Sequence, residues 1–582
     1  MKKRIVKPHK QKRLSPYGVA ACLLLTALPP ALSGPLGAQQ QPPIKPVIPD
    51  ANRYEPGKVF LEHADHLSMD ENVSRDYQVL VGNVRFRKGD MFMYCDSAHF
   101  YMSTNSLDAY SNVKMEQGDT LFVFADELNY DGPREMATLF GSAGRKVRLI
   151  NRDVKLETDV FYYDLAVSKG FYNVGGVLTD RQNSLKSWRG EYYPGTKNAD
   201  FYDDVVLKSI RPTDTLRMFT DELHYNTATH IARIEMPTRI INKDGRIVTS
   251  SGTYNTENGQ ADLFSRSTVY TNNGATLTGD TLFYDRSRGF GEAFGNMVLV
   301  DSARHSTLCG DYGFYNEIAD SAFVTGRALA KEYRSGDTLY LHGDTINAYL
   351  VKADSTRITN AFHRVRFYRS DLQGLCDSLS GVERDSMMYM YGHPVVWSGE
   401  RQIFGNVIHV HANDSVPDWA RLPETGFMAE HILEDCYNQL AGNDMKAWFN
   451  DSTITRLYVE GNVQMILFPM ENDSSYNKYA YTQTSFLDVT FDGNTIKRGV
   501  MWPETKGNLV PLFSAKKGAY FLPGFKWLEA LRPKNPDDIF VYPAEASELL
   551  KDTDDSNGRR KRSKPSGNNR LNELALPPEK DE

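Results

Sequence analysis

A six-residue phrase recurs along most of the 582-residue chain at nearly constant spacing, and that spacing limits the possible folds more than any other feature. It reads Asp, any residue, usually an apolar residue, any residue, an aromatic, then Asp or Asn. Clear copies begin at Asp126, Asp159, Asp221, Asp280 and Asp311, and looser ones at Asp65, Asp96, Arg189, Ser250, Asp344 and Asp377. Successive first positions lie 29 to 33 residues apart. A fixed period of that size marks a repeat array, in which each unit covers its apolar face only by stacking on its neighbours.

Three residues before the first position, eight copies carry an apolar side chain: Met93, Val123, Leu156, Met218, Ile247, Leu277, Leu308 and Leu341. One residue further back the chemistry is mixed, as in Phe92, Lys155, Arg217 and Thr276. An apolar position beside an indifferent one is the period-two pattern of a strand with one face covered. Four residues after the first position stands Phe100, Tyr130, Tyr163, Tyr193, Tyr225, Tyr254, Tyr284 or Tyr315. The two sets are seven residues apart and so of opposite parity, which requires the chain to bend or bulge near the Asp if both are to face inward. The Asp is therefore read as a corner residue.

Turn signals such as Gly89-Asp90, Gly118-Asp119 and Gly336-Asp337, with strand openings such as Gly82-Asn83-Val84, predict about three short strands per unit. The expected fold class is an all-β, elongated repeat array. One departure is expected: Phe427, Met428, Ile432, Leu433, Cys436 and Leu440 fall near one face of a 3.6-residue wheel and predict a short helical insertion near 427–441.

The ends read differently. Basic residues from Lys2 to Arg13, an apolar run from Val19 and the small-residue site at Leu36–Ala38 predict a signal peptide over 1–38. A Pro-rich linker over 39–56 follows, then a first β module over 57–210, a second over 211–382, divergent repeats with the helical insertion over 383–453, and a C-terminal β module and cap over 454–545. Residues 546–582 are polar, contain Arg559–Arg562, and are expected to be disordered.

Charge and motifs exclude several functions. Lys and Arg number 67 against 74 Asp and Glu, a net charge of -7, and no basic cluster is read within the repeats, so nucleic acid is not an expected partner. No metalloprotease, nucleophile-elbow or phosphate-loop motif is present. One Asp per thirty residues is too sparse for calcium-binding β-repeats, which place Gly and Asp about every nine. No catalytic residue, metal ligand or cofactor is expected, and the chain is not read as an enzyme. Cys95, Cys309, Cys376 and Cys436 are read as buried small hydrophobes.

The signal peptide, the Gly-Asn-Val strand, the Gly-Asp-Thr-Leu turn at Gly118–Leu121 and the Ala-Asp-x-Leu-x-Tyr-Asp phrase at Ala125–Asp131 together resemble the OstA-like family of lipopolysaccharide-transport proteins. The likeness is clearest from Val81 to Phe140, and the family's LptA-type members are short periplasmic bridge proteins. The resemblance implies that both early modules are OstA-like and that the array is an open β-jellyroll whose apolar interior shields lipid A acyl chains. The eight residues from Met93 to Leu341 are then the candidate lipid-binding ladder.

It further implies a periplasmic protein that binds lipopolysaccharide or lipid A, carries it toward the outer membrane in outer-membrane biogenesis, and meets membranes only through partners. Those partners are other lipopolysaccharide-export components, joined by strand addition at sheet edges. The first strands, around Lys58–Leu67, are expected to form the working edge, with Leu522–Trp527 capping the other end. The alternatives are a surface or periplasmic β-repeat adhesin or scaffold and, below it, a β-helical polysaccharide-active enzyme.

Overall fold

The computed structural model describes residues 57–546, apart from 70–75 and loop stretches of one to three residues. The signal peptide, the Pro-rich linker and all but the start of the 546–582 tail lie outside the described residues. The chain divides into two units, 1–55 and 56–582. The second is described here.

Its building block is a strand bent in half. In Met91–Tyr101 the residues before Asp96 pack inward at odd positions and those after it at even ones. Residues 91–95 belong to one sheet, here called A, and residues 97–101 to a second, B. The chain then turns, returns along B over residues 106–110, crosses back, and runs along A over 113–117. Each thirty-residue unit therefore supplies four strand segments, two per sheet, where the turn signals predicted about three. Some crossings leave one long strand, as in Leu121–Asp131, and others split it, as at Asp159 between Val154–Thr158 and Val160–Asp164. All pairings are antiparallel, each segment paired to the one before and the one after it.

The crossings explain the corner Asp. The return crossing uses two consecutive left-handed residues, such as Gly82 (φ 85°) and Asn83 (φ 43°), or Gly295 (φ 70°) and Asn296 (φ 46°). Gly and Asn tolerate this region best, which is why Gly-Asn precedes so many strands. The pairing register shifts there, between Val81 and Val84 and between Phe294 and Met297. The outgoing Asp latches onto this bulge. The Asp280 amide donates to the Gly295 carbonyl at 3.0 Å, and the Asn296 amide donates to the Asp280 carboxylate at 2.6 Å. Asp65 does the same with Gly82 and Asn83. A Cβ on Gly82 would lie 2.3 Å from the Asp65 carboxylate, so this position excludes other residues. Together the corners form a covalent spine along one edge of the sandwich.

Three sequence expectations are corrected. The looser copy read from Arg189 starts one residue earlier, at Trp188, whose amide donates the crossing hydrogen bond to the Asp203 carbonyl at 3.1 Å. A one-residue slip moves every side chain to the other face, so the buried ring is Tyr192 and not Tyr193, and Leu185 takes the apolar position.

The helical insertion is absent. Gly426–Leu433 and Cys436–Gly442 form a hairpin through the left-handed Glu434. Met428 and Leu440 face the interior while Phe427, Ala429 and Cys436 pack under another segment on the outer face. A strand apolar on both faces loses its alternation, and the residual pattern mimics a helical period.

That covering segment is the third correction. Residues 512–542 hold four short 3-10 turns and no strand, and they run across the outer face of sheet A instead of capping its end. Gln439 bonds the strap at Tyr520 and Leu522, and Gln402 bonds it at Lys526 and Leu528, each through both ends of a fully buried amide at 2.7–2.9 Å. Trp397, Val395 and Leu375 are buried beneath Leu528 and Leu531. Among the described residues neither terminal pair of strands, Phe60–His63 with His66–Ser68 or Thr495–Trp502 with Lys506–Pro511, carries a strand on its outer side.

Candidate functional site between the two sheets

The eight ladder residues meet on the inner face of sheet A and are joined by partners that sequence reading missed. Cross-strand pairs run Met93–Met115–Val123–Leu149–Leu156, then Leu156–Leu178–Leu185–Leu207–Met218. They continue Met218–Ile240–Ile247–Val269–Leu277 and Leu277–Leu299–Leu308–Ala330–Leu341. The file is unbroken and apolar throughout. Met93 to Leu277 are buried, and Leu308 and Leu341 are half-buried against the same core. The connecting residues carry the alternation of the return segments and could have been found by applying the period to them.

Sheet B answers with a file of alternating size. Tyr130, Tyr163, Tyr192, Tyr225, Tyr254 and Tyr284 are separated in the pairing register by Ala137, Gly170, Ala199, Ala232 and Ala261. Each ring occupies the space its small neighbours leave, the interdigitation that close packing requires. The two files face each other: a Cβ added to Gly291, next along sheet B, would lie 2.7 Å from the Leu277 side chain.

Opposite the spine, the hairpin turns of A meet those of B at a mouth with no covalent crossing. There the tyrosine hydroxyls tie one sheet to the other. Lys88 donates to Tyr130 at 2.8 Å, Tyr163 donates to Gln117 at 3.1 Å, Asn151 donates to Tyr192 at 3.0 Å and Asn273 donates to Tyr315 at 2.8 Å. Tyr225 donates to Asp180 at 2.9 Å and accepts from Asn183 at 3.0 Å. Burial pushes the Tyr163 phenol up to about 12.

The pattern lapses at two neighbouring rings, Tyr254 and Tyr284, whose hydroxyls make no such tie. The Tyr254 hydroxyl is buried without a partner, and burial raises its phenol to about 12. Beside it Arg286 spans the mouth, paired with Asp214 and, at 2.8 Å, with Asp244. A surface hollow of about 520 Å³ opens there, lined by charged and amide side chains including Arg211, Lys243 and Glu317. A second, of about 480 Å³, lies among Glu62, Asn83 and Asp96 on the spine. Neither hollow is lined by a ladder residue.

Other chemistry is sparse among the described residues. Glu222, His224 and Glu235 stand close enough to share a cation. His224 is already engaged by Asp200 at 2.7 Å and by Glu222 at 3.3 Å, and Glu235 by Arg233 at 3.3 Å. Cys95, Cys309, Cys376 and Cys436, the cysteines among the described residues, are unpaired, and burial pushes the Cys95 thiol up to about 12, far from a reactive thiolate. No helix among the described residues is long and apolar enough to cross a membrane.

No curated protein matches the chain. Two family descriptions do match: OstA-like protein over residues 56–213, and lipopolysaccharide-assembly, LptC-related, over residues 174–272. The overlap, residues 174–213, falls where the repeat continues without a break, as one continuous array requires. With the all-β bent-strand architecture, these matches support an OstA/Lpt-type lipopolysaccharide-transport family over residues 56–272.

Proposed function

We propose that the protein binds lipopolysaccharide through its lipid A acyl chains, held between the two sheets along the ladder from Met93 to Leu341, and passes it toward the outer membrane from a periplasmic position. The supporting observation is the unbroken apolar file bounded on one edge by a covalent spine and on the other by noncovalent ties, hydrogen bonds and the ion pairs of Arg286. Parting the mouth by one unit breaks one or two ties at about 0.5–3 kcal/mol each, the upper end where a partner is charged. An acyl chain entering the gap gains roughly 0.8 kcal/mol for each methylene it buries. A chain of ordinary length thus outweighs several ties, so an interior closed when empty is compatible with lipid entry. The terminal strands, with no strand on their outer sides among the described residues, suit strand addition to other export components, and the expected edge around Lys58–Leu67 is one of these two.

The test is a mass spectrum of lipids retained by the purified mature protein, beside a variant carrying Leu277→Asp and Leu308→Asp. A carboxylate in an apolar interior costs several kcal/mol unless paired, and an acyl chain offers no partner. Wild-type protein is expected to carry lipid A and the folded variant to lose it. Wild-type protein free of lipid after isolation from lipopolysaccharide-rich membranes would favour a scaffold with a permanently closed core.

A further inference from the structure

The two outer faces of the sandwich carry opposite charge. On the outer face of sheet A, Arg148, Lys186, Lys208, Arg217, Arg239 and Arg246 are all exposed, and no ion pair among the described residues involves any of them. The acids on this face, Glu116 and Glu157, are neutralised by Lys114 at 2.6 Å and Lys155 at 2.7 Å. The outer face of sheet B carries Asp108, Glu127, Glu191, Asp200, Glu222 and Asp262. Its bases are engaged by acids: Lys169 by Glu191 at 3.2 Å, Arg233 by Glu235 at 3.3 Å, Arg189 by Asp203, and His224 by Asp200 and Glu222.

The segregation opposes stability. Lys208 stands directly across from Arg217, and Glu191 directly across from Asp200. Like charges in cross-strand pairs are destabilising, and interspersed signs would relieve both.

We infer that the basic face of sheet A docks on the acidic face of sheet B of a second copy of this chain, stacking arrays face to face. Both faces are built on the same thirty-residue repeat, which adds two strands, about 9–10 Å, to each sheet, so the basic and acidic faces of two copies advance by equal lengths along the contact. A second copy also carries the same sheet twist. A flat anionic bilayer would meet a twisted sheet over only a few strands. The stacking is confined to the stretch before about residue 327, because from Arg327 and His342 onward sheet A is covered by the chain's own strap. It uses faces and leaves the strand edges and the interior free, so it stands or falls independently of lipid binding.

Sedimentation of the mature protein tests this, with two charge-reversed variants whose folding is verified by circular dichroism. One carries Lys186→Glu, Lys208→Glu and Arg239→Glu, and the other carries Glu127→Lys, Glu191→Lys and Asp262→Lys. Wild-type protein is expected to self-associate at low ionic strength, where the Debye length reaches about 30 Å, and to dissociate as salt is raised. Each folded variant alone should associate about tenfold more weakly, and an equimolar mixture of the two should form a 1:1 complex. A wild-type protein that stays monomeric at low salt, or variants that associate as wild type, would overturn the inference. So would wild-type monomers that float with vesicles of anionic phospholipid through the basic face, which would give that face to a lipid surface.

Discussion

Two tyrosines in the same place in consecutive repeats should respond oppositely to loss of their hydroxyls. Tyr225 and Tyr254 are 2% and 1% exposed, so their rings contribute alike to packing. The Tyr225 hydroxyl lies 2.9 Å from the Asp180 carboxylate, 3.0 Å from the Asn183 amide and 3.1 Å from the His230 ring. Asp180 is itself 1% exposed, and in Tyr225→Phe it keeps His230 at 2.9 Å as its side-chain partner. Hydrogen bonds to charged groups contribute about 1.5–3 kcal/mol, and stranding a buried acceptor costs its desolvation, so this variant should lose about 2–3 kcal/mol. Tyr254 has no partner to lose. Tyr254→Phe removes an unsatisfied buried hydroxyl and should be neutral or stabilising by up to about 1 kcal/mol. The two variants should then differ by about 3 kcal/mol, or roughly a hundredfold in the local opening constant. A repeat array need not unfold in one step, so the assay is native-state amide hydrogen exchange, read over Gly176–Asp180 and Asp214–Asn226 for one variant and Gly252–Asn255 for the other. Equal losses of protection, or a destabilised Tyr254→Phe, would refute the reading of the mouth as a row of hydrogen-bonded ties.

The strap depends on buried amides: Gln402→Ala removes the bonds to Lys526 and Leu528 and should cost about 1–3 kcal/mol, seen as faster proteolysis within 512–542 while the array stays protected. The corners should be acid-sensitive. The Ser142 hydroxyl holds the Asp126 carboxylate below its usual range, and the Asn296 amide does the same for Asp280. A depressed carboxylate contributes stability that is present above the unfolded value of about 3.9 and lost as pH falls through the folded one, so amide protection at these crossings should persist at pH 5 and fall below about pH 4, and Asp126→Asn should flatten that response at its own corner. Glu317 is shifted the other way, raised by burial and then by Asp244; it opposes folding at neutral pH and is relieved as pH falls, so Glu317→Gln should raise thermal stability at pH 7 and leave it unchanged at pH 4.

The ladder from Met93 to Leu341 and the corner role of Asp were legible because both follow from local parity, which a strand fixes without reference to its neighbours. Where one residue of context was missing, reading failed: Arg189 offered a charged residue at a position usually held by Asp, yet Trp188 makes the crossing. The 427–441 hairpin was masked because its second apolar face exists only to meet a strap about eighty residues downstream. The phenol ties were hidden for a similar reason, since Asn151 and Tyr192 are 41 residues apart and come together only when the two sheets close. The two charged faces carry no signal in linear order at all. Lys208 and Glu191 lie in neighbouring segments of mixed charge, and only the crossing at Asp203-Asp204 sends them to opposite sides.

The crossing at each corner also makes the chain a ruler with whole-number marks. An unpaired half of a unit would leave one sheet a strand ahead of the other and strand a left-handed Gly-Asn with no Asp to latch it. Length can therefore change only in steps of about thirty residues, each worth about 9–10 Å along the stack. Away from the strap and from links that reach past one unit, such as Arg286 to Asp214, every complete step rejoins Val269 to Leu277, Tyr254 to Ala261 and their counterparts. Duplication and loss of units are thus neutral moves for folding, and the span of such an array is free to be tuned by how many it keeps.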